Sequence, residues 1–207
     1  MKPVGLFLHI FKCTKNRGLE MAGQLRVIAG KWARRKLPLA AAADAGITRP
    51  TSDRAREALF SALGDSVAGA QVLDLFAGSG ALGIEALSRG AEHATFVERD
   101  ESCIQQLAQN LQKLNAQDET QCLATNAYSW VQKSRGKSYD LIFVDPPYDT
   151  DFQDEFWPNL AQHLAPEGLV VVERSKKRQF EGPTGFDVVW DRCYGKTRLL
   201  WLRKETP

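Results

Sequence analysis

The sequence of 207 residues predicts an α/β fold built on a mostly parallel sheet. From residue 71 onward, short apolar runs typical of buried strands alternate with apolar residues at helical spacing. A glycine-rich turn joins the first of these strands to its helix, as in open sheets that bind nucleotide-like ligands. Later elements include a predicted helix over residues 152–164 and a fifth strand over residues 168–173. Residues 186–191 and 197–203 flank a short turn and predict a hairpin in which one strand runs antiparallel to the sheet.

The first 60 residues differ in charge from the rest of the chain. They contain 12 Lys and Arg against 4 Asp and Glu, whereas residues 61–207 contain 15 against 21. A basic arm on an acidic body favours a polyanionic partner, because Lys and Arg release counterions from phosphates. A solvated charge run is the alternative interpretation. We expect three parts: a disordered extension over residues 1–20, a basic hairpin and helix over residues 21–64, and the catalytic domain over residues 65–207.

Two short strands and a helix are predicted within the basic arm. Residues 25–30 and 35–39 have the pattern of strands and flank a turn that begins at Gly30. Residues 51–63 predict a helix that ends at Gly64 and whose apolar stripe is Ala55, Leu59, Phe60 and Leu63. The remaining faces are left to basic side chains. The residues expected to contact the polyanion are Arg34, Arg35, Lys36, Arg49 and Arg56.

The turn Gly78-Ser79-Gly80 lies between a buried strand, residues 72–76, and a helix that begins near Ala81. Two glycines allow positive φ and let the main chain approach a ligand closely. The free N–H groups at the start of the helix point toward the same ligand. Such a turn cradles a nucleotide-like cofactor. The candidate cofactor contacts here are Asp74, Phe76, Ala77, Gly78, Ser79 and Gly80.

Two cofactor classes compete for this turn. Gly78, Gly80 and Gly83 match G-x-G-x-x-G, and Glu98 follows about 20 residues on, so a nicotinamide or flavin dinucleotide is one hypothesis. Asp74 would face the phosphates of a dinucleotide unfavourably. It suits S-adenosylmethionine, which carries a sulfonium and an ammonium group and no phosphate. A tight turn with no ligand is the third interpretation.

Two later strand ends supply further cofactor candidates. Glu98 ends the second predicted strand of the sheet and is placed to accept hydrogen bonds from both ribose hydroxyls, with Arg99 or Asp100 beside the adenine. A surface glutamate is the alternative there. Asn126 follows the third strand and, next to Ala127, can donate and accept hydrogen bonds at the adenine edge. An ordinary turn asparagine is the alternative at that position.

The stretch Asp145-Pro146-Pro147-Tyr148 directly follows a buried strand, residues 141–144. Two prolines after a strand fix an extended backbone that cannot continue the ladder. They hold this cluster at the carboxyl end of the sheet, where ligands of open α/β sheets bind. We expect Asp145 and the Pro146 carbonyl to accept the N–H groups of an exocyclic base amine, while Tyr148 stacks on the base. A proline-bounded loop is the alternative.

From residue 25 onward, the chain resembles the RsmD-type family of 16S ribosomal RNA guanine-N2 methyltransferases. The resemblance rests on Arg26-Val-Ile-Ala-Gly30, on Arg49-Pro-Thr-Ser-Asp-Arg-Ala-Arg-Glu-Ala-Leu-Phe60, on the turn from Asp74 to Gly83, and on Asp145-Pro-Pro-Tyr148. It implies a Rossmann-like class I methyltransferase fold with a seven-stranded sheet, an antiparallel last strand and S-adenosylmethionine as cofactor. It also implies methylation of a guanine 2-amino group, with the RNA bound by the basic arm. The chain departs from the family at Ala33-Arg34, where relatives often have Arg-Gly.

The resemblance implies 16S ribosomal RNA, within the small ribosomal subunit, as the partner. We expect the enzyme to be a monomer. We expect a cytoplasmic protein without a membrane partner, since no apolar run approaches the roughly 20 residues of a membrane span. The four scattered cysteines and three histidines predict no metal site. The alternatives are a DNA adenine or cytosine amino-methyltransferase, a nicotinamide-dependent oxidoreductase, and an RNA-binding module without catalysis.

Overall fold

The computed structural model of the protein describes residues 23–40, 53–147, 151–177, 180 and 182–205. Among the predicted site residues, Arg49 and Tyr148 lie outside this description, as does the extension expected over residues 1–20. The strands in chain order are β1 (Gln24–Arg26), β2 (Lys36–Pro38), β3 (Gln71–Asp74), β4 (His93–Glu98), β5 (Thr120–Ala124), β6 (Tyr139–Val144), β7 (Leu164–Ser175), β8 (Phe186–Tyr194) and β9 (Thr197–Lys204).

The helices lie between these strands, as an α/β fold requires. They are α1 (Asp53–Leu63), α2 (Ala81–Ser88), α3 (Glu101–Lys113), α4 (Ala127–Lys133) and α5 (Phe156–Ala161), with short 3-10 turns at Gly64–Val67 and Gln117–Glu119. Among the described helices, none is long and apolar enough to cross a membrane.

Seven strands form one sheet in the order β5-β4-β3-β6-β7-β9-β8. The strands from β3 to β7 pair in parallel, and β9 runs antiparallel to both of its neighbours. This confirms the predicted class I methyltransferase fold, with a seven-stranded sheet and an antiparallel last strand. The chain moves outward in one direction from β3 to β5 and in the other direction from β6. The switch point therefore lies between β3 and β6, where open α/β sheets bind their ligands.

Both faces of the sheet are covered by apolar side chains. Val72 of β3 and Phe143 of β6 belong to the cluster on one face, together with Phe60 of α1. Leu73 and Ile142, their neighbours in sequence, belong to the cluster on the other face. Strands buried on both faces read as continuous apolar runs, which explains why these strands were recognisable in the sequence.

Helix α2 packs unusually close to its neighbours because of two glycines. A Cβ on Gly83 would lie 2.2 Å from Cε1 of Phe96 in β4, and one on Gly80 would lie 2.4 Å from Cδ1 of Leu107 in α3. All eight residues of α2 are buried. The close packing fixes the start of α2 over the carboxyl end of β3.

The hairpin of β1 and β2 packs directly on the sheet domain. Leu25, Val27 and Trp32 are buried in the same apolar cluster as α1 and α2. The side-chain amide of Asn110 in α3 donates a hydrogen bond of 2.9 Å to the carbonyl of Pro38. The described part of the basic arm therefore shares one hydrophobic core with the domain that follows it.

The helix predicted over residues 152–164 is wrong in extent. Only Phe156–Ala161 is helical, and β7 already begins at Leu164. The apolar spacing that suggested a longer helix belongs to an aromatic cluster, in which the Phe152 ring lies 4.6 Å from that of Phe156 and 4.8 Å from that of Trp157. Packing between aromatic rings, and not helical periodicity, explains why the sequence has an apolar residue at Phe152.

Candidate active site

The glycine turn between β3 and α2 has the backbone conformation that its glycines allow. Gly78 has a φ of 50° and Gly80 has a φ of 75°, both in the left-handed region that other residues rarely adopt. The N–H of Gly80 donates to the carbonyl of Ala77 at 2.6 Å, which closes the turn. The turn thus presents the start of α2 and its own main chain toward the carboxyl end of the sheet.

Asp74, the last residue of β3, is only 2% exposed. Its Oδ2 accepts a hydrogen bond of 3.1 Å from the N–H of Gly83 in the first turn of α2. Burial raises the pKa of the Asp74 carboxyl to about 7, although the Gly83 hydrogen bond lowers it, and the charge of Glu98 adds to the rise. Such an acid gains from a nearby cation. Its contact with a sulfonium cofactor stays a prediction that this electrostatic setting supports.

Glu98 connects the glycine turn to the start of α3. Its Oε2 accepts a hydrogen bond of 2.8 Å from the N–H of Gly78, and its Oε1 accepts one of 2.8 Å from the N–H of Asp100. Asp100 in turn caps α3, because its Oδ1 accepts from the N–H of Cys103 at 2.9 Å. Each Glu98 oxygen keeps a second lone pair for the predicted ribose hydroxyls. The adjacent Arg99 is exposed.

Asn126 has a local structural role that the sequence left open. Its Oδ1 accepts hydrogen bonds from the N–H groups of Tyr128 at 2.9 Å and Ser129 at 3.3 Å, so it caps α4. The residue is exposed, and its amide nitrogen is the part left to reach an adenine. Ala127 is buried. The contacts of Asn126 and Ala127 with the cofactor stay predictions. Because Oδ1 of Asn126 caps the helix, only its amide NH2 group is left to bind the adenine.

Asp145 and the two prolines after it follow β6, which lies beside β3. Phe143 of β6 pairs with Asp74, and its carbonyl accepts a hydrogen bond of 3.1 Å from the N–H of Leu75. Asp145 therefore leaves the sheet beside the strand end that carries the glycine turn, and its side chain is part-exposed. The predicted donor-binding turn and the predicted catalytic motif lie at one edge of the sheet. The catalytic roles of Asp145, Pro146 and Pro147 stay predictions.

The N-terminal hairpin runs along α2 from this edge to the opposite one. A narrow cleft lined by residues 38–40, Gly78 and Ser79 separates the base of the hairpin from the glycine turn. At the other end, the N–H of Lys31 donates at 2.7 Å to the carbonyl of Ser88, the last residue of α2. A Cβ on Gly30 would lie 1.7 Å from that carbonyl oxygen, so only glycine fits there.

A buried glutamate holds the middle of the hairpin. The Oε2 and Oε1 atoms of Glu85 accept hydrogen bonds of 2.8 and 3.0 Å from the N–H groups of Ile28 and Ala29. The Ser88 hydroxyl accepts one of 3.0 Å from the N–H of Trp32. Sequence reasoning missed both side chains. The available signal was a pair of polar residues in a helix that is otherwise apolar all round.

The prediction that Arg56 contacts a polyanion is wrong. Its side chain is fully buried, and its Nη2 donates to the carbonyl of Arg26 at 2.6 Å and to Asp53 at 3.0 Å. Burial lowers its pKa, and the charges of Asp53 and Glu85 oppose that effect. Its spacing from Leu59, Phe60 and Leu63 would have placed it on the apolar face of α1.

Arg34, Arg35 and Lys36 are exposed, as a surface contact requires. Arg34 has a φ of 67°, a left-handed conformation that is costly for a residue with a Cβ. This is the position where the resemblance led us to expect glycine, so the turn keeps its conformation without the glycine. The N–H of Arg34 donates to the carbonyl of Val27 at 2.9 Å, which closes the turn.

Tyr128 is a third residue that the sequence did not single out. It lies at the start of α4, with its ring centroid 6.1 Å from that of Phe76 and 6.3 Å from that of Phe152. Its hydroxyl is buried and has no hydrogen-bond partner among the described residues. Burial raises its pKa. A hydroxyl of this kind, beside the predicted adenine end of the site, is available to a ligand or a water molecule.

Comparison with known proteins gives consistent results. The family model described as Conserved hypothetical protein 95 matches residues 25–203. The Ribosomal RNA small subunit methyltransferase D of Escherichia coli is 44% identical over 154 residues, which cover 73% of this chain and 75% of that protein. The solved structure of the yhhF protein from Escherichia coli has a TM-score of 0.77 and 38% identity, and the match covers 88% of this chain and 99% of that one.

A more distant structure shares the fold. The 16S rRNA N2 G1207 methyltransferase of Thermus thermophilus, solved in complex with AdoMet and guanosine, has a TM-score of 0.69 and 23% identity. The match covers 89% of this chain and 50% of that one. At this identity the likeness supports the fold alone.

Proposed function

Because the chain belongs to the family described as Conserved hypothetical protein 95, the RsmD-type class I methyltransferases, we propose that it methylates the 2-amino group of a guanine in 16S ribosomal RNA. S-adenosylmethionine is the methyl donor. One observation carries the proposal: the glycine turn with its buried Asp74 lies at the same sheet edge as Asp145, on the neighbouring strand.

The residues around the glycine turn fit S-adenosylmethionine. Gly80 has no room for a side chain because Leu107 of α3 packs against it, and its φ of 75° closes the turn at the start of α2. Asp74 offers a buried carboxyl that favours a cation, and Glu98 offers acceptors for hydroxyl groups. A dinucleotide would instead bring phosphates toward Asp74. When bound, S-adenosylmethionine supplies a methyl group on a positively charged sulfur, which becomes a thioether as the methyl leaves.

The chemistry of an amino group explains the motif at Asp145. The lone pair of an exocyclic base amine is delocalised into the ring, which makes the nitrogen a poor nucleophile. The Asp145 carboxylate and the Pro146 carbonyl each accept one N–H, which turns the nitrogen and localises its lone pair toward the methyl group. As the nitrogen–carbon bond forms, the nitrogen becomes acidic, and its proton leaves late toward Asp145 or water. Tyr148 would hold the base by stacking.

Ribosomal RNA in the small-subunit particle is the substrate that we propose. The name of the relative from Escherichia coli specifies ribosomal RNA of the small subunit. The exposed Arg34, Arg35 and Lys36 give the chain a cationic turn suited to phosphates. The Asp-Pro-Pro-Tyr motif suits exocyclic amines in general, so the choice of guanine rests on the resemblance to the RsmD-type family. A DNA adenine or cytosine methyltransferase is the competing hypothesis.

The test uses small-subunit particles from cells that lack the gene. We expect the purified protein to transfer labelled methyl groups from S-adenosylmethionine to 16S RNA in these particles, and digestion to nucleosides to yield N2-methylguanosine at one site. Labelled methyladenosine or methylcytidine in RNA would overturn the guanine assignment. Methylation of duplex DNA, with no label in the particle, would favour the competing hypothesis.

A further inference from the structure

Three exposed lysines lie at the catalytic edge of the sheet, away from the N-terminal hairpin. Lys176 and Lys177 follow the carboxyl end of β7, which is parallel to β6 and so ends at the same edge as Asp145. Lys196 lies in the turn between β8 and β9. The N–H of Lys176 donates to the carbonyl of Lys196 at 2.8 Å, which holds the two segments together. We call these three lysines and Tyr194 the hairpin-tip surface.

In the described ranges, no ion pair involves Lys176, Lys177 or Lys196. Asp191 of β8 is bound by Arg198, with hydrogen bonds of 3.0 and 2.6 Å. Glu173 of β7 is buried and accepts a hydrogen bond of 3.4 Å from the Thr197 hydroxyl. Among the described residues, the tip therefore carries an excess of positive charge.

A row of stacked rings leads to the same tip. The Trp201 and Trp190 rings lie 4.7 Å apart with an interplanar angle of 23°. The Tyr194 ring follows at 6.5 Å from that of Trp190, at 25°. The guanidinium of Arg192 lies 5.7 Å from the Trp190 ring. Tyr194 is part-exposed at the end of this row, and Lys196 is two residues further along the chain.

The N-terminal turn, which carries Arg34, Arg35 and Lys36, lies away from the methyl-transfer site. The backbone next to this turn is anchored at Ser88, the last residue of α2, whereas the glycine turn directly precedes the first residue of α2. Eight residues at about 1.5 Å per residue separate the two ends by roughly 12 Å. Arg34 and Arg35 therefore lie toward the edge opposite Asp145. Cations at the catalytic edge must come from another element.

We propose that the hairpin-tip surface binds ribosomal RNA next to the target base. The three lysines contact phosphates, and the Tyr194 ring stacks on an unpaired base. Cations beside an aromatic platform are the usual composition of single-stranded RNA sites. With the N-terminal turn, this surface gives the RNA two points of contact at opposite edges of the sheet. The inference rests on the proposed function and adds a substrate site to it.

The test compares two triple variants that change the net charge equally. The first is Lys176→Gln/Lys177→Gln/Lys196→Gln. The control replaces three exposed cations between the end of α4 and the start of β6, on the other face of the sheet from the N-terminal hairpin: Lys133→Gln/Arg135→Gln/Lys137→Gln. For the first variant we expect the KM for the small-subunit particle to rise at least about tenfold, and the slope of log affinity against log salt to flatten by about two to three units. Its kcat and its affinity for S-adenosylmethionine should match wild type.

Tyr194 supplies the second arm. Tyr194→Ala should weaken particle binding roughly tenfold, whereas Tyr194→Phe, which keeps the ring, should bind like wild type. If the two triple variants give the same KM and salt slope, the hairpin-tip inference is overturned while the proposed function stands. If wild type itself fails to methylate the particle, the proposed function falls and the inference falls with it. Circular dichroism and melting temperature confirm that each variant is folded.

Discussion

The N–H of Ile28 donates a hydrogen bond of 2.8 Å to the carboxylate of Glu85, which lies 57 residues further along the chain. The same carboxylate accepts from Arg89 at 2.8 Å and lies 3.9 Å from Nε of Arg56. It is 1% exposed. A single buried acid therefore attaches the basic hairpin to the helix that begins at the glycine turn, and it balances the charge of a buried arginine.

Removal of this carboxylate should be strongly destabilising. Glu85→Ala removes one of two carboxylates beside the buried Arg56 guanidinium and leaves two backbone N–H groups unsatisfied, so we expect a loss of about 3–5 kcal/mol. Urea unfolding followed by circular dichroism measures it. The control is Glu57→Ala on the exposed face of α1, which should change stability by less than about 0.5 kcal/mol. Similar losses in both variants would show that Glu85 is not the anchor of the hairpin.

The left-handed backbone conformation of Arg34 is expected to lower the free energy of unfolding. Glycine adopts a φ of 67° at no steric cost, so Arg34→Gly should raise the free energy of unfolding by up to about 1 kcal/mol. Arg34→Ala removes the same charge but keeps the Cβ, and it should give no gain. Thermal unfolding of the two variants side by side separates backbone strain from charge. Equal stability of the two would contradict the strain interpretation.

Asp74 should make stability depend on pH in an unusual direction. Its folded pKa, about 7, lies above the ordinary value of 3.8, so between these values the folded protein holds a proton that the unfolded chain has released. The contribution of Asp74 to stability is therefore present at low pH and is lost as pH rises from about 4 to about 7, by roughly 4 kcal/mol in total. Asp74→Asn cannot titrate, so its stability relative to wild type should increase across this window.

Asp187→Asn, which replaces an exposed carboxyl of β8, is the matched control and is measured over the same pH range. A difference between wild type and Asp74→Asn that is independent of pH would mean that Asp74 is ionised throughout.

The same carboxyl should release a proton when the cofactor binds. A sulfonium or ammonium group close to Asp74 favours the ionised form, so near pH 6 binding of S-adenosylmethionine should release close to one proton, and near pH 8 almost none. Calorimetry in two buffers of different ionisation enthalpy measures the proton count. No release near pH 6 would place the cation away from Asp74.

The parts of the fold that sequence reasoning recovered are those encoded by local pattern. Strands such as β6 are buried on both faces and read as apolar runs, and the glycines at 78 and 80 mark a turn that needs positive φ. Asn126 shows the limit of this reasoning. One side chain can cap a helix and also face a ligand, and the sequence does not distinguish the two roles.

The parts that it missed depend on packing between distant segments. Arg56 looked like a surface cation, and only the docking of β1 beside α1 supplies the Arg26 carbonyl that makes its burial possible. Glu85 is an acid in an apolar helix, whose partners at Ile28 and Ala29 come from another part of the chain. The helix predicted over residues 152–164 is too long because Phe152 packs on the distant Tyr128 ring as well as on Phe156.

The central claim is that Asp145 orients an RNA amine for methyl transfer, and Asp145→Ala tests it. One well-placed catalytic hydrogen bond is worth roughly 3 kcal/mol, so the turnover rate should fall by about a hundredfold or more while cofactor affinity changes little. Asp145→Asn can still accept a hydrogen bond but cannot take a proton, so its residual rate separates orientation from charge.

The decisive measurement is the single-turnover rate of methylation of the small-subunit particle, with the particle and S-adenosylmethionine at saturating concentrations. The account predicts a rate for Asp145→Ala at least about a hundredfold below wild type. A rate for Asp145→Ala close to that of wild type would contradict it.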